Sequence, residues 1–102
     1  MIMTKTALYV ELVAKPGCEA EVADFLAGAR PLADAEPQTI AWFAVRLDNE
    51  TFAIFDAFPD EAGRQAHLGG PIAQALMANA ERLLARAPVI RPAEVLADKL
   101  PG

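Results

Sequence analysis

From Ala7 to Ala14 the side chains alternate: Leu8, Val10 and Leu12 point one way, Tyr9, Glu11 and Val13 the other. A period of two over eight residues predicts a strand, closed by the turn residues Lys15-Pro16-Gly17. After Cys18 the period lengthens. Glu19 and Glu21 fall in a first turn, where carboxylates favour the positive end of a helix. Val22, Phe25, Leu26 and Ala29 follow at i, i+3, i+4 and i+7, one face of that helix. Pro31 kinks or ends it near Arg30, with a further short turn reaching Ala35. Thr39–Asp48 and Thr51–Phe58 are rich in β-branched and aromatic residues and flank the turn Asp48-Asn49-Glu50, which predicts an antiparallel hairpin. Pro59 opens a helix with Asp60 as N-cap, running to about Leu68 and stopped by Gly69-Gly70. Pro71 begins another, with Ile72, Ala75, Leu76, Asn79 and Leu83 on one face, reaching about Arg86 before Pro88. Val89–Leu100 returns to strand composition, and Pro92 demands a break, a bulge or an edge position near its start.

The order strand, helix, strand, strand, two helices, strand is the split βαβ order of an α+β, ferredoxin-like domain (βαββααβ) with a four-stranded antiparallel sheet. A chain of 102 residues accommodates one such domain, residues 1–102.

Composition adds a constraint. Apolar residues make up 54% of the chain, 22 of them alanine. The larger apolar side chains still exceed what a domain of this size hides easily. Sorted by parity, and with the register between strands assumed, one set of strand positions is almost purely apolar: Leu8, Val10, Leu12, Ala41, Phe43, Val45, Leu47, Ala53, Phe55, Ala57, Val95 and Ala97. The other holds Tyr9, Glu11, Trp42, Arg46, Ile54, Asp56 and Phe58. Neither set suits water, and one helix layer covers only one face. Two sheets packed face to face in a homodimer answer both needs.

Charge and motifs exclude more. The net charge of −5, with no basic cluster, disfavours nucleic acid. No apolar run approaches the ~18 residues of a membrane span. Lys5 followed by the early Glu11 makes a poor signal peptide, and the lone Cys18 fits a reducing cytoplasm. There is no serine nucleophile, phosphate-binding glycine loop or metal-ligand spacing.

His67, the only histidine, follows Asp56 by eleven residues. Such a pair serves as a base with its orienting carboxylate, Asp56 or Glu11; a structural histidine bonded to a strand carboxylate answers the same pattern. Asp56, between Phe55 and Ala57, needs a partner, and Arg46 and His67 are the candidates. Trp42 and Phe58 either wall a pocket for a flat aromatic ligand or fill the core. Tyr9, Arg46 and Asn79 offer polar groups to such a ligand.

Lys15-Pro16-Gly17, the run Glu36-Pro37-Gln38-Thr39 before Trp42, and Phe55-Asp56-Ala57-Phe58 leading to Ala66-His67-Leu68 resemble the antibiotic biosynthesis monooxygenase family of the dimeric α/β-barrel superfamily. The resemblance spans nearly the whole chain. Gln38 stands where the family often has glycine, Asp56 where it usually has glutamate, and Phe58 where it usually has tryptophan. It implies a sheet-to-sheet dimer with a pocket between sheet and helices, bordered by Asp56, Phe58, His67 and Trp42. It also implies oxidation of a phenol, quinol or polycyclic aromatic by O₂ without metal, flavin or haem. His67 would be the base supported by Asp56, Tyr9, Arg46 or Asn79 would hold the substrate oxygens, and Trp42 and Phe58 would stack on its ring. The haem-degrading branch places its iron ligand on the later helix, where this chain has no histidine. A non-catalytic small-ligand-binding or stress-related dimer is the alternative that the same fold allows.

Overall fold

The structure, a computed structural model, describes residues 3–101. Its elements are β1 (Thr6–Val13), α1 (Glu19–Gly28), α2 (Arg30–Asp34), β2 (Ala41–Arg46), β3 (Thr51–Phe58), α3 (Glu61–Leu68), α4 (Pro71–Leu83) and β4 (Val89–Glu94). The four strands form one antiparallel sheet in the order β2-β3-β1-β4, with the helices on one face, a ferredoxin-like arrangement.

Local chemistry accounts for the boundaries. Pro31 falls in the first turn of α2, so the chain breaks into two helices there. Asp60 caps α3 by accepting a hydrogen bond from the Gly63 backbone N–H. α4 stops at Leu83, short of Arg86, because Leu84 turns extended and bridges to Ala14, and Ala85 N–H donates to the Val13 carbonyl. β4 ends at Glu94 rather than Leu100: Val95 N–H still donates to Lys5, but the chain then leaves the ladder and is held through Asp98, which accepts from both the Thr4 backbone and hydroxyl. Pro92 is tolerated because β4 is an edge strand.

Register decides which side chains share a face. On the face that the helices cover lie the rows Trp42–Asp56–Leu8–Pro92, Ala44–Ile54–Val10–Ile90 and Arg46–Phe52–Leu12, with their β4 ends exposed. On the opposite face lie Ala41–Ala57–Ala7–Ala93, Phe43–Phe55–Tyr9–Arg91 and Val45–Ala53–Glu11–Val89. The parity grouping is corrected here for β1: Leu8, Val10 and Leu12 belong with Asp56 and Trp42, whereas Tyr9 and Glu11 belong with Phe55. Parity separates the two faces of each strand, but only pairing says which faces coincide.

The main core joins Val10, Leu12, Phe52 and Ile54 of the sheet to Val22 and Leu26 of α1 and Leu76 and Leu83 of α4. On the helix-free face the segment after β4 lies against the alanine row, leaving a groove of about 210 Å³ beside Phe43 and Phe55. Those two phenylalanines, with Val45 and Val89, remain exposed.

Candidate active site

At the other end of the helix face three elements converge on one imidazole. β3 supplies Asp56, the loop after α2 supplies Glu36, and α3 supplies His67. Residue Asp56 reaches the helix layer through strand parity, and His67 lies in the last turn of α3, facing the sheet. His67 Nδ1 lies 2.6 Å from Glu36 Oε1, and Nε2 lies 2.9 Å from Asp56 Oδ2. Glu36 Oε1 also accepts a 2.7 Å hydrogen bond from the Thr39 hydroxyl. Phe58 closes the cluster from behind, its ring centroid 5.3 Å from that of His67.

Burial by itself lowers the affinity of His67 for its proton. The contacts to Asp56 and Glu36, and the charges of both carboxylates, outweigh it and push the pKa up to about 9. His67 is therefore an imidazolium at neutral pH, with each ring nitrogen engaged by a carboxylate. In this arrangement it has no free nitrogen, and it faces two acceptors. The carboxylates sit on opposite sides of the ring, and among the described residues no group of His, Cys, Asp and Glu side chains is arranged to hold a metal.

Asp56 is fully buried and its Oδ2 meets His67 Nε2, whereas Asp56 Oδ1, Glu36 Oε2 and Trp42 Nε1 are buried without a partner. Buried polar atoms without partners each cost about 1–3 kcal/mol, so three of them on Asp56, its strand neighbour Trp42 and the His67 partner Glu36 make this end of the sheet a candidate site.

A cleft of about 600 Å³ opens beside this cluster, between α2, the loop that follows it and the edge strand β2. Glu36, Pro37, Thr39, Ile40 and Trp42 form its wall, with Arg30 and Asp34 at the helix side. His67, Asp56 and Phe58 lie behind that wall, not on it. Glu36 belongs to both cluster and cleft.

The expected site residues separate accordingly. His67, Asp56 and Phe58 come together, and Trp42 lines the cleft. Phe58 has no exposed surface and stacks on His67, so it does not offer its ring to a ligand. Tyr9 lies across the sheet, paired with Phe55 and Arg91. Arg46 sits at the far end of β2, over the Phe52 ring, donating to Asn49. Asn79 bonds Ala75 and Arg82 within α4, beside a small apolar gap. Glu11 is 3.6 Å from Arg86 on the opposite face and does not approach His67. Two residues of the site, Glu36 and Thr39, were visible only as parts of a turn motif. The signal that could have found them is a carboxylate and a hydroxyl three residues apart around Pro37, close enough to bond each other.

No protein-family model and no curated protein matches the chain. Among solved structures, the NE2512 protein of unknown function from Nitrosomonas europaea is 62% identical, covering 100% of this chain and 99% of that one, with a TM-score of 0.97. A candidate antibiotic biosynthesis monooxygenase from Caulobacter crescentus superposes with a TM-score of 0.78 at 17% identity, covering 94% of this chain and 93% of that one. A second such candidate, from Nitrosomonas europaea, gives 0.80 at 12% identity, covering 90% and 99%. The chain therefore belongs to the family of the Nitrosomonas europaea NE2512 protein and has the ferredoxin-like fold of the antibiotic biosynthesis monooxygenases.

Proposed function

We propose that the protein is an oxygenase of small electron-rich aromatics, taking a phenol, quinol or anthrone-like ring into the cleft walled by Trp42 and Ile40. The observation that supports this reading is the double membership of Glu36, a residue that lines the cleft and whose carboxylate holds His67. Glu36 accepts the proton of the substrate hydroxyl, and the resulting electron-rich anion reduces O₂. For an anthrone-like substrate a ring CH₂ becomes C=O, with one oxygen atom in the product and the other in water. The substrate supplies all the electrons. His67 keeps the carboxylate in place and Asp56 keeps His67 charged.

The protein works as a homodimer joined through the face that carries Phe43, Phe55 and Val45. Helices cover only the other face, and an aromatic row left in water is costly. The single free cysteine, Cys18, suits a reducing compartment such as the cytoplasm. A second reading, a binder without turnover, is favoured by the enclosure of His67 and Asp56 behind the wall.

Oxygen uptake with a panel of hydroquinones and anthrones separates the two. Uptake matched by product supports the oxygenase. Thermal stabilisation by the same compounds without uptake supports the binder. Neither uptake nor stabilisation removes the cleft as a site.

A further inference from the structure

Thr39 is half-buried in the cleft wall, and its hydroxyl donates to Glu36 Oε1 at 2.7 Å. Its backbone N–H donates to the Glu36 carbonyl at 3.2 Å, which fixes the turn between the two residues. The same Oε1 receives His67 Nδ1–H. Glu36 Oε2 faces away, toward the joint between α3 and α4, where a Cβ built on Gly70 would come within 3.2 Å of it. Turning Oε2 into the cleft would break both bonds to Oε1. The route from the cleft to the carboxylate therefore passes through the Thr39 hydroxyl, whose lone pairs are still free to accept.

We propose that Thr39 is the cleft-side end of a short proton relay, from the ligand through Thr39 to Glu36, with His67 and Asp56 holding Glu36 in place, serving a ligand with an acidic hydroxyl on an aromatic ring. This deepens the reading of the cleft as a phenol site and rests on it. In the transfer the ligand O–H bond breaks and its proton joins Thr39 Oγ1. The proton that Thr39 held moves to Glu36 Oε1. The hydroxyl ends as it began, the ligand is a phenolate and Glu36 is neutral. The second carboxylate then has a purpose, because His67 keeps Asp56 as its counter-charge when Glu36 loses its own.

The test uses para-nitrophenol, whose phenolate absorbs visibly and whose neutral form does not, so no turnover is needed. Bound to the wild-type protein, a larger fraction of the probe should be ionised than in buffer at the same pH. Bound to Thr39→Val, its ionisation constant should fall by roughly tenfold or more, one pH unit of midpoint. Thr39→Ser should restore it. The NMR signal of the lone His67 serves as the control for an intact cluster. Equal ionisation in wild type and Thr39→Val overturns the relay and leaves the cleft reading standing. If Thr39→Val disturbs the His67 signal, the serine variant decides. Wild-type ionisation there upholds the relay, and its loss beside an undisturbed His67 signal overturns it. Failure of the probe to bind the wild-type protein overturns the cleft reading and the relay with it.

Discussion

Raising the pH removes the His67 proton and with it the attraction that ties α3 to β3 and to the loop after α2. The folded-state pKa is about 9, against a model value of 6.5 for the unfolded chain. A group whose pKa is raised on folding adds stability that is fully present below its unfolded value and lost as pH climbs through the folded one. The window is therefore pH 6.5 to 9. At about 1.4 kcal/mol per unit the shift corresponds to roughly 3 kcal/mol, trimmed to about 2–3 kcal/mol because water in the cleft screens the Glu36 side. Urea unfolding across that range, for wild type and His67→Gln, isolates the contribution, since tyrosine and lysine titrations are common to both. The wild-type curve should descend toward the variant's as pH rises. With one histidine in the chain, its ring proton gives a single NMR signal whose midpoint reads the pKa directly. A midpoint near 6.5, or a stability difference flat with pH, refutes an imidazolium held between two carboxylates.

Other expectations concern packing and assembly. A Cβ on Gly63 would lie 2.9 Å from Oε1 of the exposed Gln38 and 3.2 Å from its Cβ, so the roughly 1 kcal/mol that Gly63→Ala gains as a helix former should be cancelled by displacing Gln38. Adding Gln38→Gly should release that gain in a double-mutant cycle read by urea melts. Asp60→Ala removes the α3 cap and should cost about 1 kcal/mol by the same assay. Phe43→Glu places a charge in the exposed aromatic row and should convert a dimeric mass in light scattering to a monomeric one, while the far-ultraviolet spectrum stays native. An unchanged mass would remove that face as the interface.

Much of the fold was legible in the chain. Alternation, the Asp60 cap, the Gly69-Gly70-Pro71 break and the Asp48-Asn49-Glu50 turn are local signals, and the elements follow them closely. The tight β2–β3 turn also fixed Trp42 beside Asp56. What local signals cannot fix is the pairing of β1 with β3, which are separated by two helices and a strand. That register put Tyr9 on the far face and Leu8 beside Asp56. Distance along one face was equally invisible. Arg46 and Asn79 face the helix layer or lie in it, yet are bonded far from His67. The Asp56–His67 pairing was readable because a carboxylate in an apolar strand demands a partner, whereas the second carboxylate arrives from a loop whose path depends on the whole fold.

Glu36→Gln keeps the size of the side chain and an acceptor for Thr39 and His67 but removes the proton acceptor. Oxygen uptake by the wild-type protein and by this variant, with anthrones and hydroquinones, therefore tests the assignment of the cleft most directly. The wild type should consume one O₂ for each ring CH₂ converted to C=O, and the variant should be slower by roughly 10²-fold or more. Equal rates in the two proteins, or no uptake by the wild type above buffer, would contradict it.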